Sequence, residues 1–284
     1  MSTQDASRTV LITGCSSGIG KATARHLAER GWRVYASARR LADVSPLADE
    51  GCIPLELDVT NEGSMERAVA EVERDGGAGV LVNNAGYSQS GAIESVPMER
   101  VERQFATNVF GTVRMCQLVL PAMRARHAGK IVNIGSMGGK LTFPGGGFYH
   151  ATKYAIEAIS DALRFEVKGF GVDVILIEPG LIRTNFGDVA ADSIATASAG
   201  DGPYAAFNAA TAKATKAAYE EGALARLGGG PEAVARTIER AIGAKHPRAR
   251  YTVTPSARVM IGLRRALPDA AWDAVMAGQF PRPA

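Results

Sequence analysis

The chain reads as short apolar runs separated by stretches with apolar residues at helical spacing. Val10-Leu11-Ile12-Thr13, Trp32 to Ser37, Cys52 to Leu57, Val80-Leu81-Val82, Lys130 to Ile134 and Val172 to Ile177 are predicted as six strands. Lys21 to Arg30, Ser64 to Arg74, Met98 to Arg126 and Tyr149 to Phe170 predict helices between them. Strands that are apolar throughout and alternate with helices imply a parallel sheet covered on both faces, an α/β doubly wound arrangement. The rhythm breaks at Asp188 to Glu221, an alanine-rich segment predicted to form a lid within about 180–230. Two further apolar periodic segments, Val259 to Leu263 and Ala271 to Met276, predict a helical extension over about 255–284. Three fates are open to it: covering the substrate mouth, a subunit contact, or contact with a membrane; covering the parent domain is the commonest fate of such helices. No linker interrupts 1–284, so one domain is expected.

Composition narrows the class. The apolar fraction of 46% supplies a core, and a net charge of +3 from 32 basic and 29 acidic residues argues against nucleic acid as a partner. The first nine residues are polar and no run of 18 apolar residues occurs, so neither a secretory signal nor a membrane span is expected. Three cysteines in a glycine turn, a strand and a helix fit a reducing, cytoplasmic setting better than a disulfide framework.

Two constellations carry chemistry. The first strand runs into Thr13-Gly14-Cys15-Ser16-Ser17-Gly18-Ile19-Gly20 and then a helix. A glycine turn at a helix N-terminus lets backbone amides approach a pyrophosphate, and the positive end of the helix dipole favours the anion. The second is Tyr149 and Lys153, four apart on a helix and therefore on one face. A phenol ordinarily titrates near pH ~10, and a neighbouring ammonium is expected to bring it toward the range of a general acid or base. No metal-ligating cluster is present in the sequence, and no metal is expected.

With Leu57-Asp58-Val59, Asn83-Asn84-Ala85-Gly86, Asn108, Ser136 and Pro179-Gly180 followed by Ile182 and Thr184, these motifs resemble, in order and spacing, the compact branch of the short-chain dehydrogenase/reductase family. The resemblance runs from about Arg8 to about Val253. It implies a Rossmann-type sheet and hydride transfer between a nicotinamide and a carbonyl or alcohol. In it Tyr149 exchanges the proton, Ser136 hydrogen-bonds the same oxygen, Lys153 lowers the tyrosine pKa and holds the ribose, and Asn108 anchors a water relay. The resemblance further implies that Asp58 and Val59 hold the adenine, that Asn84, with Ala85 and Gly86, lies along the adenosine ribose, and that Ile182 and Thr184 approach the carboxamide. Dimers or tetramers through the fourth and fifth helices are expected on the same ground.

Cofactor choice turns on the end of the second strand, where an NAD-binding protein usually presents an acid. Here the run is Ser37-Ala38-Arg39-Arg40, and the two guanidiniums favour the 2′-phosphate of NADP(H) over NAD(H). Tyr204, Phe207 and Tyr219, with Met137, Leu141, Phe143 and Phe148, are expected to line a mostly apolar pocket for a bulky hydroxysteroid-, retinoid- or lipid-like substrate. Gly145-Gly146-Gly147 reads as a mobile or closely packed rim, and His150 as a surface or lining residue. Competing readings are an NADP(H)-binding sensor or scaffold without turnover and, more remotely, a nucleotide-sugar epimerase.

Overall fold

The computed structural model describes residues 8–197, 202–220, 222–280 and 282–283. Among these, seven strands form one parallel sheet: β1 (Thr9–Ile12), β2 (Arg33–Ala38), β3 (Ile53–Glu56), β4 (Val80–Asn83), β5 (Gly129–Ile134), β6 (Val172–Pro179) and β7 (Arg250–Val253), in the order 3-2-1-4-5-6-7. The helices are α1 (Gly18–Glu29), α2 (Glu62–Arg74), α3 (Met98–Phe105), α4 (Gly111–Ala125), α5 (Gly147–Val167), α6 (Phe186–Ala197), α7 (Ala205–Glu220), α8 (Gly222–Arg226), α9 (Pro231–Gly243), α10 (Pro255–Ala266) and α11 (Asp269–Ala277).

Successive strand residues point to opposite faces, and both faces are dry. Val10, Ile12, Val34, Val80 and Val82 pack with Ala24 and Leu27 of α1 and Val234 and Ile238 of α9. Leu11, Tyr35, Leu81 and Ile131 face Met65 and Val72 of α2 and Met115 and Val119 of α4. This double burial explains why the strands read as continuous apolar runs rather than as an alternation. At roughly 1.5–3 kcal/mol per fully buried large apolar side chain, these two layers hold the sheet.

Strand β7 is absent from the predicted elements. Only four residues long, it pairs in parallel with β6 from Leu176↔Arg250 to Pro179↔Val253 and buries Tyr251 and Val253. The predicted Met98 to Arg126 helix is present but not uniform. Between α3 and α4 it widens to a π-helical turn over Ala106–Phe110, centred on Asn108. Such turns concentrate at functional positions because they displace a side chain from the regular helical path.

The strand order reverses between β1 and β4, and ligands of such sheets bind beyond the carboxyl ends at that point. The predicted lid forms α6 and α7 and is tied to the loop after β4. Asn208 accepts from Ala92 N at 2.9 Å and donates to Ser95 Oγ at 3.2 Å, and Ser193 Oγ accepts from Ser90 N at 2.9 Å. The C-terminal extension covers the parent domain: Met260 and Ile261 of α10 and Trp272 and Met276 of α11 pack on Met137, Leu141 and Leu181. Among the described residues, no helix is long and apolar enough to cross a membrane.

Candidate active site

A cleft of about 1180 Å³ runs across the carboxyl edge of the sheet. At one end lies the glycine turn. Gly14 and Gly18 have φ of +73° and +57°, which L side chains rarely adopt. Gly20 has ordinary backbone angles but no room, since a Cβ there would fall 2.3 Å from Gly14 O and 2.5 Å from Asn84 Nδ2. Gly20→Ala is therefore expected to cost about 1–3 kcal/mol and to open the turn. Thermal unfolding of the variant with and without added NADP⁺ checks this, and unchanged stability and binding would count against a packing role.

The turn delivers α1 with its N-terminus bare. Ser17 at the N-cap makes no side-chain cap bond, and no acid lies in the first turn. The orphan N–H groups and the dipole at this end fit a pyrophosphate. Ser16, Ser17, Gly18, Ile19, Arg39, Asp58, Val59, Ala85, Gly86, Pro179, Gly180, Ile182 and Thr184 all line the cleft.

Four expected residues make structural contacts around the cleft. Thr13 is buried and its hydroxyl accepts from Asn84 N at 3.0 Å and Ala85 N at 2.9 Å, joining β1 to the loop after β4. Gly20 acts through close packing. Asn84 lines the cleft and spends its side-chain amide on Thr13 O and Gly14 O, both at 2.9 Å, so it also braces the glycine turn. Arg40 is held in a two-bond pair with the cleft-lining Asp43, at 3.0 and 2.7 Å, and of the two guanidiniums it is Arg39 that lines the cleft.

At the other end the catalytic candidates converge. Tyr149 and Lys153 lie in the first turns of α5, and Ser136 follows β5. The Ser136 hydroxyl lies near the Tyr149 phenol and accepts from Gly138 N at 3.0 Å. Lys153 Nζ donates to Ile134 O at 2.7 Å and stands 5.8 Å from the Tyr149 ring centroid. Burial pushes the Tyr149 phenol up to about 12, opposed by Ser136, and brings the Lys153 ammonium down to about 8. Desolvation is the larger cause of the Tyr149 shift, and the Lys153 ammonium is directed at a carbonyl.

Asn108 is buried with its side chain fully engaged. Oδ1 accepts from Tyr87 N at 3.1 Å, and Nδ2 donates to Tyr87 O at 2.9 Å and Thr152 Oγ1 at 3.1 Å. Its amide therefore joins the loop after β4 to α5.

His150 lines the cleft from a buried position. Its Nδ1 donates to Gly138 O at 2.9 Å and its Nε2 accepts from Phe143 N at 3.1 Å, which assigns the neutral Nδ1–H tautomer. Burial lowers its pKa to about 4, so it stays neutral at physiological pH. A Cβ on Gly138 or Gly146 would fall 2.7 or 2.8 Å from a ring nitrogen, so the glycine-rich rim is closely packed on this imidazole.

Of the expected apolar lining, Met137, Phe143 and Tyr219 are in the cleft. Tyr204 and Phe207 stack on each other at 6.4 Å, with the Tyr204 hydroxyl bonded to Glu94, and Leu141 is in the core beneath α10 and α11. Sequence reasoning missed Ser88, Gln89, Ser90, Arg100, Arg103, Phe186 and Phe280, all of which line the cleft. Ser88 to Ser90 follow Asn83 to Gly86 directly, so their position beyond a strand end was a usable signal. Met260, in the extension read as one possible cover of the substrate mouth, lines the cleft too, whereas Phe280 had no signal short of the tertiary packing.

The fold and the site together define a doubly wound dinucleotide-binding domain in whose cleft a serine, a tyrosine and a lysine converge. The chain belongs to the short chain dehydrogenase family, whose model matches residues 8–194, and it is an oxidoreductase of that family. It is 34% identical over 280 residues to an NADPH-dependent 3-dehydrocapnine reductase of Ornithobacterium rhinotracheale, covering 94% of this chain and 95% of the relative. It is 45% identical over 181 residues to a 3-ketodihydrosphingosine reductase of Bacteroides thetaiotaomicron, covering 63% of this chain and 65% of that one. A crystal structure of a short-chain dehydrogenase from Streptomyces avermitilis matches with a TM-score of 0.75 at 31% identity, over 95% of this chain and 98% of the other.

Proposed function

We propose that this protein is an NADPH-dependent reductase of a ketone carried on a long, largely apolar chain. The observation that carries this reading is the extent of the cleft. Its about 1180 Å³ exceeds the roughly 300–1,000 Å³ of a single small-molecule pocket. Beyond the dinucleotide end it continues past Tyr149 between Phe143, Phe186, Ile194, Tyr219, Leu224, Met260 and Phe280. Both reductases named above have names built on a 3-keto or 3-dehydro compound, in keeping with a ketone substrate.

In this reading the glycine turn and α1 hold the pyrophosphate, Arg39 meets the 2′-phosphate, Asp58 and Val59 flank the adenine, and Ile182 and Thr184 approach the carboxamide. The bound nicotinamide supplies the hydride. Tyr149, protonated at neutral pH, gives its proton to the carbonyl oxygen, and Ser136 hydrogen-bonds the same oxygen where charge develops. Lys153 offsets the resulting phenolate. Exposed Phe110, in the π-helical turn that leads into α4, and Tyr154 and Phe165 of α5 support the proposal that subunits pair through this region.

The test is NADPH oxidation with 3-ketodihydrosphingosine and chain-shortened analogues. kcat/KM should rise roughly fourfold per added methylene until the arm is filled, the equivalent of ~0.8 kcal/mol each. A flat dependence on chain length, or better turnover of small polar ketones, would remove the lipid reading.

A further inference from the structure

Behind the reaction centre lies a second group of ionisable residues that the mechanism does not use. Glu157 of α5 and Glu178 of β6 are only 5% and 3% exposed. Glu157 follows Lys153 by one helical turn, and Glu178 immediately precedes Pro179-Gly180. Glu157 Oε2 takes a close ion pair from Lys140, in the loop that carries Ser136, and a 3.1 Å hydrogen bond from Arg250 of β7. Glu178 Oε2 accepts from Thr252 Oγ1 at 2.9 Å. The remaining oxygen of each, Oε1, is buried without a hydrogen-bond partner. The nearest cations to Glu178 Oε1 are Lys140 at 3.9 Å and Arg250 at 3.6 Å, too far to donate.

The two carboxyl groups nevertheless lie within hydrogen-bonding reach of each other. Lys140 and Arg250 stand beside both groups, yet with both carboxyls ionised the Oε1 of each would remain a buried acceptor without a donor. One proton between them satisfies both. We infer that Glu157 and Glu178 share a single proton and that the pair is a positioning element, holding the Ser136 loop, the Tyr149 helix and the Pro179-Gly180 strand end in register. The loop is seated closely enough for this to matter, since a Cβ on Gly139 would fall 2.9 Å from Lys153 O and 3.0 Å from Glu157 Cγ.

Burial, followed by Glu178, raises the Glu157 pKa against the opposing Lys140. The other charged or titratable groups around it are Arg250 of β7, and Tyr154, Asp161 and Arg164 on α5. Arg250 binds Asp161 at 2.5 Å and holds that carboxyl down at about 2, so Asp161 stays ionised and does not compete for the proton. Arg264 of α10 acts on Tyr154.

A carboxyl raised by folding keeps a proton that the unfolded chain releases near pH ~4.3, so its stabilising contribution is lost as pH rises through the folded value. Infrared spectra of the full chain at pH 7 should contain a protonated-carboxyl band that disappears in both Glu157→Gln and Glu178→Gln, because an amide replaces the shared proton. Absence of the band in the unmodified protein, or its persistence in both variants, overturns the proposal. Tm measured against pH should fall toward alkaline pH in the unmodified protein relative to Glu178→Gln, and parallel curves would overturn it as well.

The kinetic arm rests on the proposed ketone reductase reading. With 3-ketodihydrosphingosine, Glu157→Ala should lower kcat by roughly tenfold to a hundredfold, the cost of small misplacements at a reaction centre. Glu157→Gln should recover most of it, and equal losses in the two variants would refute the positioning role. The infrared and Tm arms need no substrate, so a failure of the lipid reading and a failure of the shared proton are separable.

Discussion

Tyr149→Phe will lower kcat about 10²–10⁴-fold while leaving NADPH binding and Tm close to those of the unmodified protein. The ring packs 5.6 Å from the His150 ring and 5.3 Å from that of Phe186, and phenylalanine keeps both contacts. What is lost is one hydroxyl beside Ser136, and Ser136 retains its bond from Gly138 N. The effect should therefore fall on turnover alone. NADPH titration by fluorescence together with steady-state rates checks both halves. Activity within tenfold of the unmodified protein would transfer the acid role elsewhere, first to Tyr219, whose buried phenol lines the same cleft and interacts electrostatically with Tyr149.

Arg39→Asp is expected to cost about 10²-fold in kcat/KM for NADPH and to make NADH the better cofactor. Charge-assisted hydrogen bonds to a phosphate contribute about 1.5–3 kcal/mol, and the new carboxylate adds repulsion while offering an acceptor to a free ribose hydroxyl. Arg40→Ala is the informative companion. Arg40 is bound to Asp43, and Asp43 lines the cleft, so this variant should weaken NADPH only several-fold by leaving that carboxylate unpaired. Kinetics with both cofactors in both variants decide the matter. Equal use of NADPH and NADH by the unmodified protein would refute the 2′-phosphate role of Arg39.

Much of this molecule was legible in the sequence because its signals are local. Strand runs, helix periods and the glycine turn depend on residues within one element, and six of the seven strands and the placement of Ser136, Tyr149 and Lys153 follow from them. Sites on doubly wound sheets collect at strand ends, which made the cleft itself predictable. Only the tertiary structure decided how polar groups divide their hydrogen bonds. Asn84 and Asn108 are polar residues in motif positions, yet their amides brace backbone at Thr13, Gly14 and Tyr87, because those buried groups require partners. Arg39 and Arg40 are identical in type and adjacent in sequence, and the nearby Asp43 separates their roles. Spacing alone placed Lys153 beside Tyr149, but it could not show that burial raises the phenol and lowers the ammonium, or that Lys153 donates to Ile134 O. The Glu157 and Glu178 pair lies 21 positions apart in the chain and on different elements, and no sequence period connects them. Their proximity arises from packing α5 against β6, and desolvation there gives a shared proton its physical basis.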